Sequence, residues 1–162
     1  MIQLLRAFSM MVLGGVWMAE RLVAQTPGEP ASVVWQLDNL TTIGGQAATV
    51  LGDPQVIETP QGKAIAFDGV DDGLIVAANP LAGLAQYTVE VVFQPARKGP
   101  REQRFLHFQP TGSDDRLLFE TRLTADDQWF LDTYLQTKLG NQTLYAEQFL
   151  HPLDRWHHAA IV

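Results

Sequence analysis

The sequence KAIAFDGVDDGLIVAANPLAGLAQYTVEVVFQP, which runs from Lys63 to Pro95, decides the fold. It holds three short apolar segments, Lys63–Phe67, Leu74–Ala77 and Tyr87–Phe93, separated by an Asp/Gly cluster and an Asn-Pro break. In the third segment apolar and polar residues alternate, which is typical of a strand with one face on a core. Proline lacks the N–H that a ladder needs, so the strand ends at Pro95. The stretch therefore predicts three short strands joined by two loops.

Three motifs resemble those of the laminin-G-like family, whose domains share the concanavalin A-like lectin-glucanase jelly roll. They are AIAFDGVDDGLIV (64–76), YTVEVVFQP (87–95) and RWHHAAIV (155–162). The family often has Trp where Val92 stands, and here the aromatic residue is Phe93. The resemblance covers residues 33–162 and implies an all-β fold, a two-sheet antiparallel jelly-roll sandwich.

The remaining pattern also indicates an all-β sandwich, because predicted strands recur every 8 to 14 residues with turn chemistry between them. The residues between 39 and 53 show no clear period and are predicted to form a long surface connection. The further predicted strands are Val33–Leu37, Val56–Glu58, Phe105–Phe108, Arg116–Leu123, Trp129–Tyr134, Thr143–Phe149 and Trp156–Val162.

Composition narrows the possible partners. The 162 residues suffice for one domain with a core, and the net charge of −7 argues against nucleic acid as a partner. The basic residues 97, 98, 101 and 104 surround Gly99-Pro100, which favours a solvated loop. Cysteine is absent, so disulfides and thiolate metal sites are excluded.

The N-terminus predicts export. Residues 1–24 read as a signal peptide, with a basic start and an uncharged apolar run at Ala7–Ala19, cleaved after Ala24. A buried N-terminal helix is the alternative. Residues 25–31 read as a flexible linker and residues 32–162 as the domain. We therefore expect a bacterial protein that is secreted, periplasmic or at the cell surface, and that meets a membrane only through its export signal.

The C-terminus stops inside an apolar strand, Ala159–Val162. In the family that the motifs resemble, more strands follow the Trp-His strand. We therefore expect a jelly-roll domain truncated at its C-terminus, with further domains in the full-length chain. A complete domain with a buried C-terminal strand is the alternative.

An acidic loop is the candidate metal site. Asp68, Asp71 and Asp72 lie around Gly69 and Gly73, and three carboxylates on one loop suit a hard cation such as calcium. The alternative is a plain turn, because Asp and Gly fit turn geometry and the carboxylates then simply face water.

Catalysis is not expected. Glycoside hydrolases on this scaffold need two carboxylates facing each other, and no Glu-x-Asp-x-Glu spacing occurs; Glu90 and Asp132 each stand alone on their strands. No Gly-x-Ser-x-Gly elbow, phosphate loop or dinucleotide fingerprint is present. His157 and His158 are strand neighbours that point to opposite faces, which argues against a zinc site.

Aromatic side chains are the candidate ligand contacts. Trp129, Tyr134 and Tyr145 are predicted to form a patch that stacks on sugar rings, the two tyrosines being brought together by a hairpin through Gly140. Burial in the core is the alternative for residues of this type.

The resemblance implies a non-catalytic recognition module of an exported bacterial protein, which binds carbohydrate or an extracellular protein. One alternative is a structural or adhesive spacer without a small ligand. Another is an accessory domain of a hydrolase encoded further along the chain. Fold alone does not choose among them.

Overall fold

The computed structural model of the chain describes residues 32–162 and, as backbone strands only, Ile2–Leu4 and Ser9–Leu13. Within these ranges every regular element is a β-strand, and no helix that could span a membrane is found there. The strands are β1 Ile2–Leu4, β2 Ser9–Leu13, β3 Thr42–Ile43, β4 Gln46–Leu51, β5 Gln55–Thr59, β6 Gly62–Asp68, β7 Gly73–Val76, β8 Val89–Pro95, β9 Glu102–Phe108, β10 Arg116–Leu123, β11 Gln128–Thr137, β12 Gly140–Tyr145, β13 His151–Pro152 and β14 His157–Ile161.

The strands pair antiparallel in two sheets. The larger, nine-stranded sheet has the order β12-β11-β10-β9-β1-β7-β4-β3, and β13 pairs with β11 beside this path. The smaller sheet has the order β14-β8-β2-β6-β5. The all-β, antiparallel character that the sequence predicts is therefore confirmed.

A single aromatic-rich core joins the two sheets. Phe93 of the smaller sheet is fully buried, stacks on Phe105 with ring centroids 5.3 Å apart and meets Trp129 edge-on at 5.0 Å. Ile65 and Val76 are also fully buried in this core. Burying each large apolar side chain contributes roughly 1.5–3 kcal/mol, so this contact holds the sheets face to face.

The central predictions for strands are confirmed. Strands β6 and β7 match the segments on either side of the Asp/Gly cluster, and β10 has the predicted bounds Arg116–Leu123. On β8 the predicted apolar face, which includes Val89, Val91 and Phe93, is the face that packs on the core.

Three predictions were wrong. Residues 33–37 form no strand, although Trp35 and Leu37 pack on the core. The region 39–53 is not an irregular connection, because it contains β3 and β4, which pair with each other, and β4 also pairs with β7. The strand predicted at Thr143–Phe149 ends at Tyr145, since the Phe149 N–H donates to the carbonyl of Ala146 and closes a turn.

The predicted leader contains two of the strands. β1 lies between β9 and β7, and β2 lies between β8 and β6. A chain cleaved after Ala24 lacks both strands, so the sheets as described include residues that the sequence assigns to a signal peptide. The linker 25–31 and the cleavage position lie outside the described residues. Leader removal stays a prediction.

Alternation on β10 separates two faces of the larger sheet. Leu117 and Phe119 contact the core. Glu120 and Arg122 therefore project from the opposite side, because successive side chains on a strand alternate. The charged side chains of three neighbouring strands collect on that opposite side.

Candidate ligand-binding face

The larger sheet carries a row of polar side chains across four strands. Arg104 of β9 pairs with Glu120 of β10, Glu120 with Asp132 of β11, and Asp132 with Tyr145 of β12. Directly opposed residues on antiparallel strands project from the same face. One guanidinium group and two carboxylates thus meet at one level of the sheet, next to an aromatic ring at its edge.

Two flanking rows complete this surface, which we call the outer face. One flanking row contains an acid, a base and an aromatic residue, and the other contains mainly uncharged side chains. The first is Glu102, Arg122 and Phe130, and the second is His107, Leu118, Tyr134 and Thr143.

Five charged side chains of the outer face form one ion network. Arg104 Nε donates to Glu120 Oε2 at 3.0 Å. Arg122 donates through Nε to Asp132 and through Nη1 to Glu102, and its Nη2 lies 3.7 Å from Glu120 Oε1. The two guanidinium groups thereby hold three carboxylates that come from three different strands.

The ion network carries an excess of negative charge. Three carboxylates against two guanidiniums leave one formal negative charge. Glu120 is only 4% exposed and Asp132 only 2%. Burial raises the pKa of Glu120, and the attraction of Arg104 opposes this rise without cancelling it.

Two buried polar atoms of the outer face lack hydrogen-bond partners among the described residues. They are Asp132 Oδ1 and His107 Nε2. Burial, helped by the positive charges of Arg116 and Arg104, lowers the pKa of His107 from its usual 6.5 to about 4. His107 is therefore a neutral imidazole at neutral pH. Buried atoms of this kind are normally satisfied by protein, water or a ligand.

Aromatic rings border the ion network on its β11–β12 side. Tyr145 is 43% exposed and meets Phe130 edge-on at 4.9 Å. Tyr134 is half-buried and its hydroxyl donates to Gln136 Oε1 at 3.1 Å. The Arg116 guanidinium lies 5.5 Å from the centroid of the Tyr134 ring. Exposed and partly exposed rings beside hydrogen-bonding groups suit ligands with both apolar and polar edges.

Of the three residues of the predicted aromatic patch, the structure places two on the outer face and one in the core. Tyr134 and Tyr145 share the outer face, and the hairpin through Gly140 that was predicted to join them is confirmed. The prediction for Trp129 was wrong. Trp129 lies on the core side of β11, is 2% exposed, and donates from Nε1 to the carbonyl of Pro152 at 3.2 Å. An odd-numbered position on β11 faces the smaller sheet, so this ring cannot stack on a ligand at the outer face.

The ion network was missed by the sequence reasoning, which treated Asp132 as a lone carboxylate. Asp132 instead lies directly opposite Glu120. The turn at Thr124–Gln128 could have predicted this pair. A hairpin centred on that turn aligns the alternating polar positions of β10 with those of β11. Patterns within one strand cannot show a pair that forms across two.

The acidic loop forms a turn that satisfies its own backbone. Asp68 Oδ1 accepts hydrogen bonds from the N–H groups of Val70, Asp71 and Asp72 at 2.8, 3.3 and 3.4 Å. The hydrogen bond from Val70 is the main reason that the pKa of Asp68 is lowered. Carboxylate oxygens of Asp68, Asp71 and Asp72 lie within 4.8 Å of one another, so the predicted cluster does form.

Asp72 extends this turn to the loop after β4. Its Oδ1 accepts from the Asp53 N–H at 2.7 Å and its Oδ2 from the Asp68 N–H at 2.8 Å. Gly52 lies against it with a positive φ of 66°, where an added Cβ would approach Asp72 Oδ1 to 2.4 Å. These contacts explain Asp68 and Asp72 without an ion. Calcium at this loop stays a prediction, and Asp68 and Asp71 are the exposed members of the set.

The remaining polar predictions concern histidines and the basic loop. His157 packs on Trp129 while His158 bonds Glu90 on the other side of β14, so the predicted opposite directions are confirmed. Arg97 binds Asp154 and Asp127, two residues with positive φ of 57°, and so fastens two turns together.

Comparisons of this chain with protein-family models, with curated proteins and with solved structures found no match. The resemblance to the laminin-G-like family therefore stays a prediction from three motifs.

Proposed function

We propose that this chain is a non-catalytic recognition module of an exported protein and that it binds carbohydrate at the outer face of β9–β12. The jelly-roll topology that the motifs imply belongs to the same proposal. The observation that carries it is the row formed by Arg104, Glu120, Asp132 and Tyr145. This row supplies donors, acceptors and a ring side by side on one rigid sheet.

Sugars match such a surface. Their hydroxyl groups need both donors and acceptors, and their C–H faces stack on aromatic rings. Arg104 and Arg122 retain N–H groups beyond those used in the ion network, since each guanidinium has five. Glu102 is exposed and offers acceptor oxygens, and Tyr145 offers the ring. The pre-formed ion network holds the long arginine side chains in place, which reduces the entropy lost on binding.

Recognition fits better than hydrolysis. A general acid must reach the proton acceptor on the substrate, within hydrogen-bond distance or through one water. Glu120 and Asp132 are both buried and both held by arginine. Neither is a free carboxylate facing its partner across an open cleft, as glycoside hydrolysis requires.

A glycan array probed with the full chain tests the proposal, followed by titration of the best ligand into two single variants. Tyr145→Ala removes the exposed ring of the outer face. Leu144→Ala is the matched control, because Leu144 is the preceding residue on β12, is 55% exposed and projects from the opposite side. We expect Tyr145→Ala to weaken binding by about tenfold, which corresponds to roughly 1.4 kcal/mol.

Leu144→Ala is expected to change the dissociation constant by less than about twofold, because surface positions outside a contact are close to neutral. Equal losses in both variants would contradict a site on the outer face. An array without any hit would favour the structural or adhesive spacer instead.

A further inference from the structure

We infer that Asp132 Oδ1 receives the ammonium group of an amino sugar, so that the outer face selects glycans with free amino groups. The inference deepens the proposed carbohydrate-binding function and rests on it. Asp132 is a buried carboxylate with one oxygen bound to Arg122 and the other without a partner among the described residues.

The charge balance favours a cation at this position. The ion network has three carboxylates and two guanidiniums, and two of those carboxylates are buried. A buried negative charge in excess is costly unless a positive charge or hydrogen-bond donors compensate it. The unpartnered oxygen of Asp132 is the acceptor that such a group would bind. A protonated amine supplies both the charge and the donors.

The surroundings suit an ammonium group better than a metal ion. A hard cation such as calcium needs six to eight oxygen ligands. Around Asp132 the nearby oxygens of Glu120 and Glu102 are already held by guanidinium groups, so too few free oxygens remain to complete the ligand set of such an ion. Among the described residues, ligand atoms close enough together to hold a metal ion occur at the acidic loop and not around Asp132. An ammonium group needs only one carboxylate and gains from adjacent rings.

Rings of the required kind adjoin Asp132. Tyr145 is its direct partner on β12, the outermost strand of this side of the sheet, and its ring contacts Phe130. Asp132 is closed off in the free protein, so a ligand reaches Oδ1 by displacing an exposed neighbour. Tyr145 is that neighbour, since its side chain is exposed and rotation of surface side chains is fast. After rotation its ring lies beside the bound amine.

A matched pair of ligands tests the inference. The full chain is titrated by calorimetry with the hexamer of glucosamine and with the same hexamer fully N-acetylated. The titration is done at about pH 5, where the amino groups of the hexamer are protonated and an ordinary aspartate is ionised. We expect the free-amine hexamer to bind at least about tenfold more tightly. Asp132→Asn is expected to reduce this preference to within about twofold, because it removes the charge and keeps the shape.

Glu90→Gln is the matched control. Glu90 is an exposed carboxylate on β8 in the smaller sheet, so its replacement removes one negative charge, as Asp132→Asn does, without altering the outer face. It is expected to keep the tenfold preference. Tyr145→Leu is a second test variant that does not depend on the folding of Asp132→Asn: it keeps an apolar side chain, removes the ring, and should lower the preference for the amine.

The outcomes are distinct. Equal affinity for the two hexamers, or an unchanged preference in Asp132→Asn, overturns the inference and leaves carbohydrate binding intact. Binding of a lysine-rich peptide with no binding of either hexamer overturns it in favour of a protein partner. Failure of both hexamers together with an empty glycan array removes the proposed function itself.

Discussion

Two groups of three carboxylates in the described part of the chain, the acidic loop and the ion network, are held in different ways. In the acidic loop the carboxylates of Asp68 and Asp72 accept hydrogen bonds from backbone N–H groups within the turn and the neighbouring loop. In the ion network Glu120 and Asp132 are held by arginine side chains from neighbouring strands. The acidic loop is visible in the sequence as a cluster, and the ion network is not.

The two groups differ in whether their buried carboxylate oxygens all have hydrogen-bond donors. Both oxygens of Asp72 have backbone donors, which is what a turn needs. Asp132 keeps one buried oxygen without a donor among the described residues. Since a buried acceptor without a donor costs free energy, its presence points to a ligand more strongly than the number of acids does.

The largest expected contrast is in the pH dependence of unfolding. The pKa of His107 on the outer face is lowered from 6.5 to about 4. The unfolded chain therefore binds a proton before the folded one does, and stability is lost as the pH falls from 6.5 towards 4. The full loss is about 3 kcal/mol, from 1.36 kcal/mol for each pH unit. Urea unfolding of wild type and His107→Gln across this range measures it, and equal slopes would contradict the account.

Glu120 and Asp68 should change the stability in opposite directions with pH. The pKa of Glu120 is raised in the folded protein. Its contribution to stability is therefore present at pH values below its pKa in the unfolded chain, and is lost as the pH rises through its pKa in the folded chain. The pKa of Asp68 is lowered, so its contribution is lost only as the pH falls below the usual 3.8. Each of the variants Glu120→Gln and Asp68→Asn should flatten the plot of unfolding free energy against pH, and only in the pH range in which the replaced carboxyl group titrates.

The next largest effect is expected within the acidic loop, where Asp72 and Asp71 should differ in their contribution to stability. Asp72→Ala removes the acceptor of two backbone N–H groups that link two loops, and we expect a loss of about 3 kcal/mol in the free energy of unfolding. Asp71→Ala should cost less than about 0.5 kcal/mol, because Asp71 is exposed. Denaturant melts of the two variants test this pair. A similar cost for both would show that Asp71 has a structural partner.

A smaller effect is expected at the ion network. Asp132→Asn leaves Arg122 with Glu102 and Glu120, and it brings the network to two charges of each sign. We therefore expect a change in the free energy of unfolding of about 1 kcal/mol or less, in contrast to a buried pair that loses its only partner. A loss above about 3 kcal/mol would assign Asp132 a structural role and weaken its assignment as a ligand contact.

The smallest expected effect is that of calcium. Because backbone N–H groups already satisfy Asp68 and Asp72, we expect calcium in millimolar excess to shift the melting temperature of the full chain by less than about 1 °C. A raised melting temperature that is lost in Asp71→Ala would instead make the acidic loop a metal site.

The sequence predicted most of the elements and little of the candidate site, for one physical reason. Alternation within a strand is a local property, so β10 and the core-facing positions of β8 were predicted correctly. The failure at 33–37 is a tertiary effect: Trp35 and Leu37 pack on the core without joining a ladder, and Val33 and Val34 stay exposed.

The site depends on register between strands. Trp129 was placed on the surface because it follows an acidic turn, but its position on β11 relative to β10 turns it to the core. Glu120 and Asp132 meet for the same reason. Tyr134 and Tyr145 were assigned together correctly because a hairpin turn at Gly140 fixes their register locally.

The most direct test of the outer face is an NMR titration that follows the Nε–H signals of the arginines as the best glycan from the array is added. Arg104 and Arg122 belong to the outer face, whereas Arg97 binds Asp127 and Asp154 at separate turns and serves as the internal control. We predict that the Arg104 and Arg122 signals shift while that of Arg97 stays in place. Shifts at Arg97, or at the backbone amides of residues 68–72, with Arg104 and Arg122 unchanged, would contradict the central claim.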